Sequence, residues 1–102
     1  MNIDQWVADR VEILLDEEMW KGTVSVVRSK RPGASLAINI EARNVIAQFV
    51  VWSSGAMEAT AVSVEKGDTF YRDAGDVVNS DQLGEKWARF LGEISQAEQA
   101  PR

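Results

Sequence analysis

Hydrophobic residues recur at helical spacing near both ends of the chain and at alternate positions between them. Ile3, Val7, Val11, Leu14 and Leu15 fall on one stripe, widened by Trp6, Ile13 and Trp20. Asn2 with Gln5 three residues on reads as a capping box, and Gly22 as the terminator of this first helix. Toward the other end Leu83, Trp87, Phe90, Leu91 and Ile94 keep an i, i+4, i+7, i+8, i+11 pattern, preceded by a second capping box at Asn79 and Gln82. Trp87 and Phe90 are the expected core anchors of that second helix. The domain is expected over residues 1–96, with 97–102 as a flexible tail.

Between the helices the period is two. Val24 and Val26 flank Ser25; Leu36, Ile38 and Ile40 alternate with Ala37 and Asn39. Ala47, Phe49 and Val51 alternate with Gln48 and Val50, and Met57, Ala59 and Ala61 with Glu58 and Thr60. A short fifth segment holds Phe70. Arg31-Pro32-Gly33, Arg43-Asn44, Ser53-Ser54-Gly55 and Lys66-Gly67 separate these runs as hairpin turns. A slip of one residue would move every side chain to the wrong face, so turn length tests the register. Three-residue loops at Ser53-Ser54-Gly55 and Arg31-Pro32-Gly33 set Val51 against Met57, Phe49 against Ala59, Val26 against Ile38 and Val24 against Ile40. Two-residue loops at Arg43-Asn44 and Lys66-Gly67 set Ile38 against Phe49 and Ala61 against Arg72, the last being the one polar intrusion. The pattern predicts an α+β fold: a two-layer sandwich, a five-stranded antiparallel meander with the N- and C-terminal helices packed on one face. The small Ala47, Ala59 and Ala61 let aromatic-rich helices approach the sheet. Charge on both edge strands, Arg28 and Lys30 on one and Arg72 and Asp73 on the other, discourages edge-to-edge pairing.

Composition narrows the function. The chain has 102 residues, 45% hydrophobic and 26% charged, in the range of ordinary globular domains. It has no cysteine and no histidine, which removes the thiolate nucleophile, the usual zinc ligands and the usual general base at neutral pH. Ser53-Ser54-Gly55 lacks the Gly-x-Ser-x-Gly frame of a nucleophile elbow, and Asp73 and Asp76 around Gly75 fall short of a calcium loop. No enzyme activity, metal or cofactor is expected. No apolar run reaches the ~18 residues of a membrane span, and the start of the chain does not read as a signal peptide. The expected location is cytoplasmic. A net charge of −5 argues against nucleic acid as a partner.

The face of the sheet turned away from the helices is more informative. The pairings place Val27, Asn39, Glu41, Ile46, Gln48, Val50, Trp52, Glu58, Thr60, Val62, Tyr71 and Asp73 there. A solvated face should be more polar than this, and a face packed on a third layer less so. Aromatic rings among acids and amides suit protein binding, a dimer interface, or a tryptophan that only covers the sheet. Asp16, Glu17 and Glu18 close the first helix, where the macrodipole disfavours each by about 0.3–1 kcal/mol, which hints at a basic partner.

Three strings carry a resemblance: Val50-Val51-Trp52-Ser53-Ser54-Gly55-Ala56-Met57-Glu58, Val62-Ser63-Val64-Glu65-Lys66-Gly67 and Trp87-Ala88-Arg89-Phe90-Leu91. Over roughly residues 38–92 the chain resembles the TriTu-type immunity proteins, small cytoplasmic antidotes encoded beside polymorphic toxins of interbacterial competition. The resemblance implies binding to a toxin domain that transfers ADP-ribose from NAD to elongation factor Tu, with NAD belonging to the toxin. It implies neutralisation by occlusion, the free chain being a monomer or homodimer. The expected contact residues are Trp52, Glu58, Gln48, Val50, Thr60, Tyr71 and Asp73, with the acids Asp16, Glu17 and Glu18. The runner-up is a small acidic secretion-effector chaperone that holds a client segment as a dimer.

Overall fold

Three of the four hairpin pairings expected from the pattern hold residue for residue. The computed structural model describes residues 2–17, 20, 23–29 and 34–99. Its elements are α1 (Ile3–Asp16), β1 (Val24–Ser29), β2 (Ser35–Glu41), β3 (Val45–Trp52), β4 (Ala56–Ser63), β5 (Thr69–Asp76) and α2 (Ser80–Gln99). The strands form one antiparallel sheet in the order β1-β2-β3-β4-β5, and both helices pack on the same face. Val26 stands opposite Ile38, Ile38 opposite Phe49, and Phe49 opposite Ala59. Gly55 turns β3 into β4 at φ +99°, as the three-residue loop requires. The Arg31-Pro32-Gly33 turn lies outside the described residues, but the strands it joins keep the expected register.

The fourth pairing differs. Lys66-Gly67 is not a two-residue loop: β4 ends at Ser63 and β5 begins at Thr69. Ser63 N donates to the Asp68 carbonyl at 2.9 Å and Gly67 N to the Ser63 carbonyl at 2.8 Å, closing a longer turn. Val62 then pairs with Thr69 and Ala61 with Tyr71, leaving Phe70 as the extra residue of a bulge. Relative to the expected pairing of Ala61 with Arg72, β5 is shifted by one residue and its faces are exchanged. Tyr71 and Asp73 therefore point toward the helices, and the polar intrusion of Arg72 disappears from the core.

α1 lies over β1 and β2, and α2 over β3 and β4. Phe49 sits where they meet: Trp6 stacks on it at 5.9 Å, Trp87 meets it edge-on at 5.1 Å, and Phe90 lies 5.3 Å away. Ala47, Ala59 and Ala61 are buried beneath these rings, as their size suggests. Both N-caps form. Gln5 N donates to Asn2 Oδ1 at 3.1 Å, although the Gln5 side chain reaches Asp9 rather than back to Asn2. Gln82 N donates to Asn79 Oδ1 at 2.9 Å, and its own Oε1 accepts from Val78 N at 2.9 Å.

Two boundaries depart from expectation. α1 stops at Asp16, with Glu17 already extended. Trp20 is fully buried beyond the helix, in a turn where Thr23 N and its hydroxyl both donate to the Trp20 carbonyl. The expected terminator Gly22 lies outside the described residues. Ile13 and Leu15, assigned to the stripe, are exposed. At the other end α2 continues through Gln99, past the point where a tail was expected. Glu98 explains this: its Oε1 accepts from Asn44 N at 2.7 Å, and its carbonyl accepts from Asn44 Nδ2 at 2.8 Å.

Candidate partner-binding surface

Strand alternation puts one row of outward side chains across the sheet as Val27, Ala37, Val50, Glu58 and Ala74, and the next as Ser25, Asn39, Gln48, Thr60 and Arg72. Glu41, Ile46 and Val62 extend the face on one side, and Trp52 lies beyond Val50 on the other. Gln48, Val50, Trp52, Glu58 and Thr60 thus form one contiguous patch, as the pattern predicts. Gln48 Nε2 donates to Asn39 Oδ1 at 2.8 Å, which orders the middle of the face without masking its neighbours. Val27 is 54% and Ile46 50% exposed, while Trp52 is half-buried at the end of β3. A shallow depression of about 270 Å³ lies among Asn39, Glu41, Ile46, Gln48, Thr60 and Val62. The surface offers an aromatic anchor, exposed aliphatics, amides and the carboxylates of Glu41 and Glu58.

Tyr71 and Asp73 do not belong to this face. Tyr71 packs toward Phe90 with ring centroids 6.1 Å apart, and Lys86 Nζ donates to Asp73 Oδ1 at 3.2 Å. Burial pushes the Tyr71 hydroxyl pKa up, and the neighbouring Asp73 carboxylate adds to the rise. Arg72 and Ala74 take the outward places that the expected register gave to Tyr71 and Asp73. The sequence signal that reveals them is the intrusion itself, since an arginine set against the small Ala61 is a poor core pair. Asp16 and Glu17 are exposed, but they lie in the helix layer, across the sheet from Trp52. Glu18 lies outside the described residues.

Among the described residues no three acidic side chains gather into a metal site, and no helix is long and apolar enough to cross a membrane. What the fold defines is a small α+β sandwich with one covered sheet face and one open, chemically mixed face. The family model for the immunity protein TriTu matches residues 2–93, and the chain belongs to that family. Neutralisation of a cognate toxin protein is the general role this membership assigns. No curated protein matches the chain.

Proposed function

We propose that the chain neutralises an ADP-ribosyltransferase toxin directed at elongation factor Tu, by stoichiometric binding in the cytoplasm that occludes the toxin's NAD or target site. The observation that carries this reading is the open face, where Trp52 stands beside Glu58 within an apolar and amide surround. A half-buried tryptophan on an open sheet face has the make-up of a binding hot spot. A cleft that grips the pyrophosphate of NAD needs basic character, and Glu58 and Glu41 complement it without performing chemistry. Gln48, Val50 and Thr60 supply the remaining contact. Asp16 and Glu17 add long-range attraction from the helix layer, whereas Tyr71 and Asp73 support the fold behind the site. Membership in an immunity family favours a toxin over the client segment of a secretion chaperone.

The test is rescue of cells that express the neighbouring toxin. Trp52→Ala with Glu58→Lys should abolish protection while the purified variant keeps its circular dichroism and solubility. The loss of Trp52 alone is worth about 2 kcal/mol or more of binding, and the reversed charge adds repulsion. Glu93→Lys, at an exposed position on α2, should protect normally. Full protection by the folded double variant rules out the open face as the contact surface.

A further inference from the structure

The two edges of the sheet are not alike. β5 carries Arg72, Asp73, Asp76 and a bulge, features that discourage addition of another strand. Of the two charges expected to guard the β1 edge, Lys30 lies beyond the strand and outside the described residues, and Arg28, the one charged residue of β1, is engaged by Asp4 of α1. Two of its valines are exposed, Val26 at 44% on the helix side and Val27 on the other, while Val24 packs against the core. Along the helix side runs a groove of about 440 Å³ between α1 and β1, lined by Val7, Val11, Leu15, Val26 and Leu36. Glu12 stands on its rim, and Asp16 follows one helical turn later.

We infer that the outer edge of β1 and this groove receive an extended segment of the toxin, added antiparallel or parallel to β1 as a further strand. The inference rests on the toxin-binding reading but places a contact away from the open face. Main-chain hydrogen bonds to β1 hold the segment, and its alternate side chains decide the fit. Those facing the helix layer are apolar and enter the groove beside Leu15 and Val26. Basic residues flank them and meet Glu12 and Asp16. Charge selects this occupant over a second copy of the chain. A second copy would bring a further net charge of −5 to an edge where Glu12 is already acidic, whereas a segment with basic flanks is attracted to it.

The experiment uses a catalytically inactivated form of the cognate toxin domain as the probe, with calorimetry and hydrogen exchange as readouts. Leu15→Lys with Val26→Lys, both at exposed positions, should weaken binding at least tenfold. In the wild-type complex the amides of residues 24–28 should exchange more slowly than in the free chain. Wild-type affinity in the folded lysine variant, or unchanged exchange at residues 24–28, overturns the inference. Loss of binding here with retention in Trp52→Ala/Glu58→Lys supports it and sinks the open-face reading; the reverse pattern overturns it and leaves the open face standing. Should the lysine variant fail to fold, the exchange measurement decides alone. A free chain that is dimeric, and becomes monomeric on the lysine substitutions, assigns the edge to a second copy and overturns the inference. A wild-type chain that binds no toxin removes the toxin reading and this inference together.

Discussion

Gly55 is fixed twice over. Its φ of +99° suits glycine alone among common residues, and a Cβ added there would stand 2.6 Å from the Val77 carbonyl oxygen. The same residue binds the chain on both sides, donating from N to the Trp52 carbonyl and accepting from Val77 N at 2.8 Å. Gly55→Val should therefore cost about 2 kcal/mol or more, whereas Ser54→Ala at the exposed neighbouring position should stay within about 0.5 kcal/mol. Urea midpoints compare the two directly, and equal midpoints would discard the loop. Tyr71 offers a second test at this scale because it is the single tyrosine of the chain. Its phenolate absorbance should titrate above the ordinary tyrosine range, since burial first and Asp73 second disfavour the charged form. Above pH ~10 the unfolded chain releases this proton while the folded chain keeps it, so stability falls as pH rises toward the folded-state pKa. Tyr71→Phe should flatten that alkaline limb. An ordinary titration midpoint would mean that Tyr71 faces solvent and that the bulge is misplaced.

Among the elements, the central hairpins were legible because glycine and alternation agree there. Ser53-Ser54-Gly55 fits one loop length, and the paired residues on both sides are apolar on one face. The β4–β5 hairpin was not legible in the same way. A bulge has no fixed sequence signature, and Phe70 and Tyr71 are both aromatic, so either suits the helix-facing side of β5. The end of α1 was hidden for another reason. Residues 16–20 contain neither glycine nor proline, and the break at Glu17 accompanies burial of Trp20, a tertiary event. The last turn of α2 is held by Asn44, 54 residues away, which no local pattern can announce. That contact makes a prediction for the element. Glu98→Ala should destabilise the fold by about 1–2 kcal/mol and speed exchange of the Asn44 amide, as loss of a hydrogen bond to a charged group does. A genuine tail would show neither change.

For the whole molecule, the rings of Trp6, Phe49, Trp87 and Phe90 join both helices to the middle of the sheet. Trp87→Ala should remove about 3–5 kcal/mol of stability, the usual range for a buried aromatic, and denaturant titration followed by circular dichroism will measure it. An unchanged midpoint would show that the cluster does not hold the layers together. The candidate site was legible in its central patch of Gln48, Val50, Trp52, Glu58 and Thr60, where register depends on well-marked turns. It was misread on β5 because one unmarked residue exchanges the faces. The distribution of indoles has an optical consequence. Trp6 and Trp87 are 6% exposed and Trp20 is wholly enclosed, whereas Trp52 alone of the four tryptophans is open to the surroundings. Emission from the folded chain thus contains one component that acrylamide reaches readily and others that it reaches poorly. A ligand seated on the open face would shield that component from the quencher, while one seated elsewhere would leave it accessible, so fluorescence of the unlabelled protein reports which side is occupied.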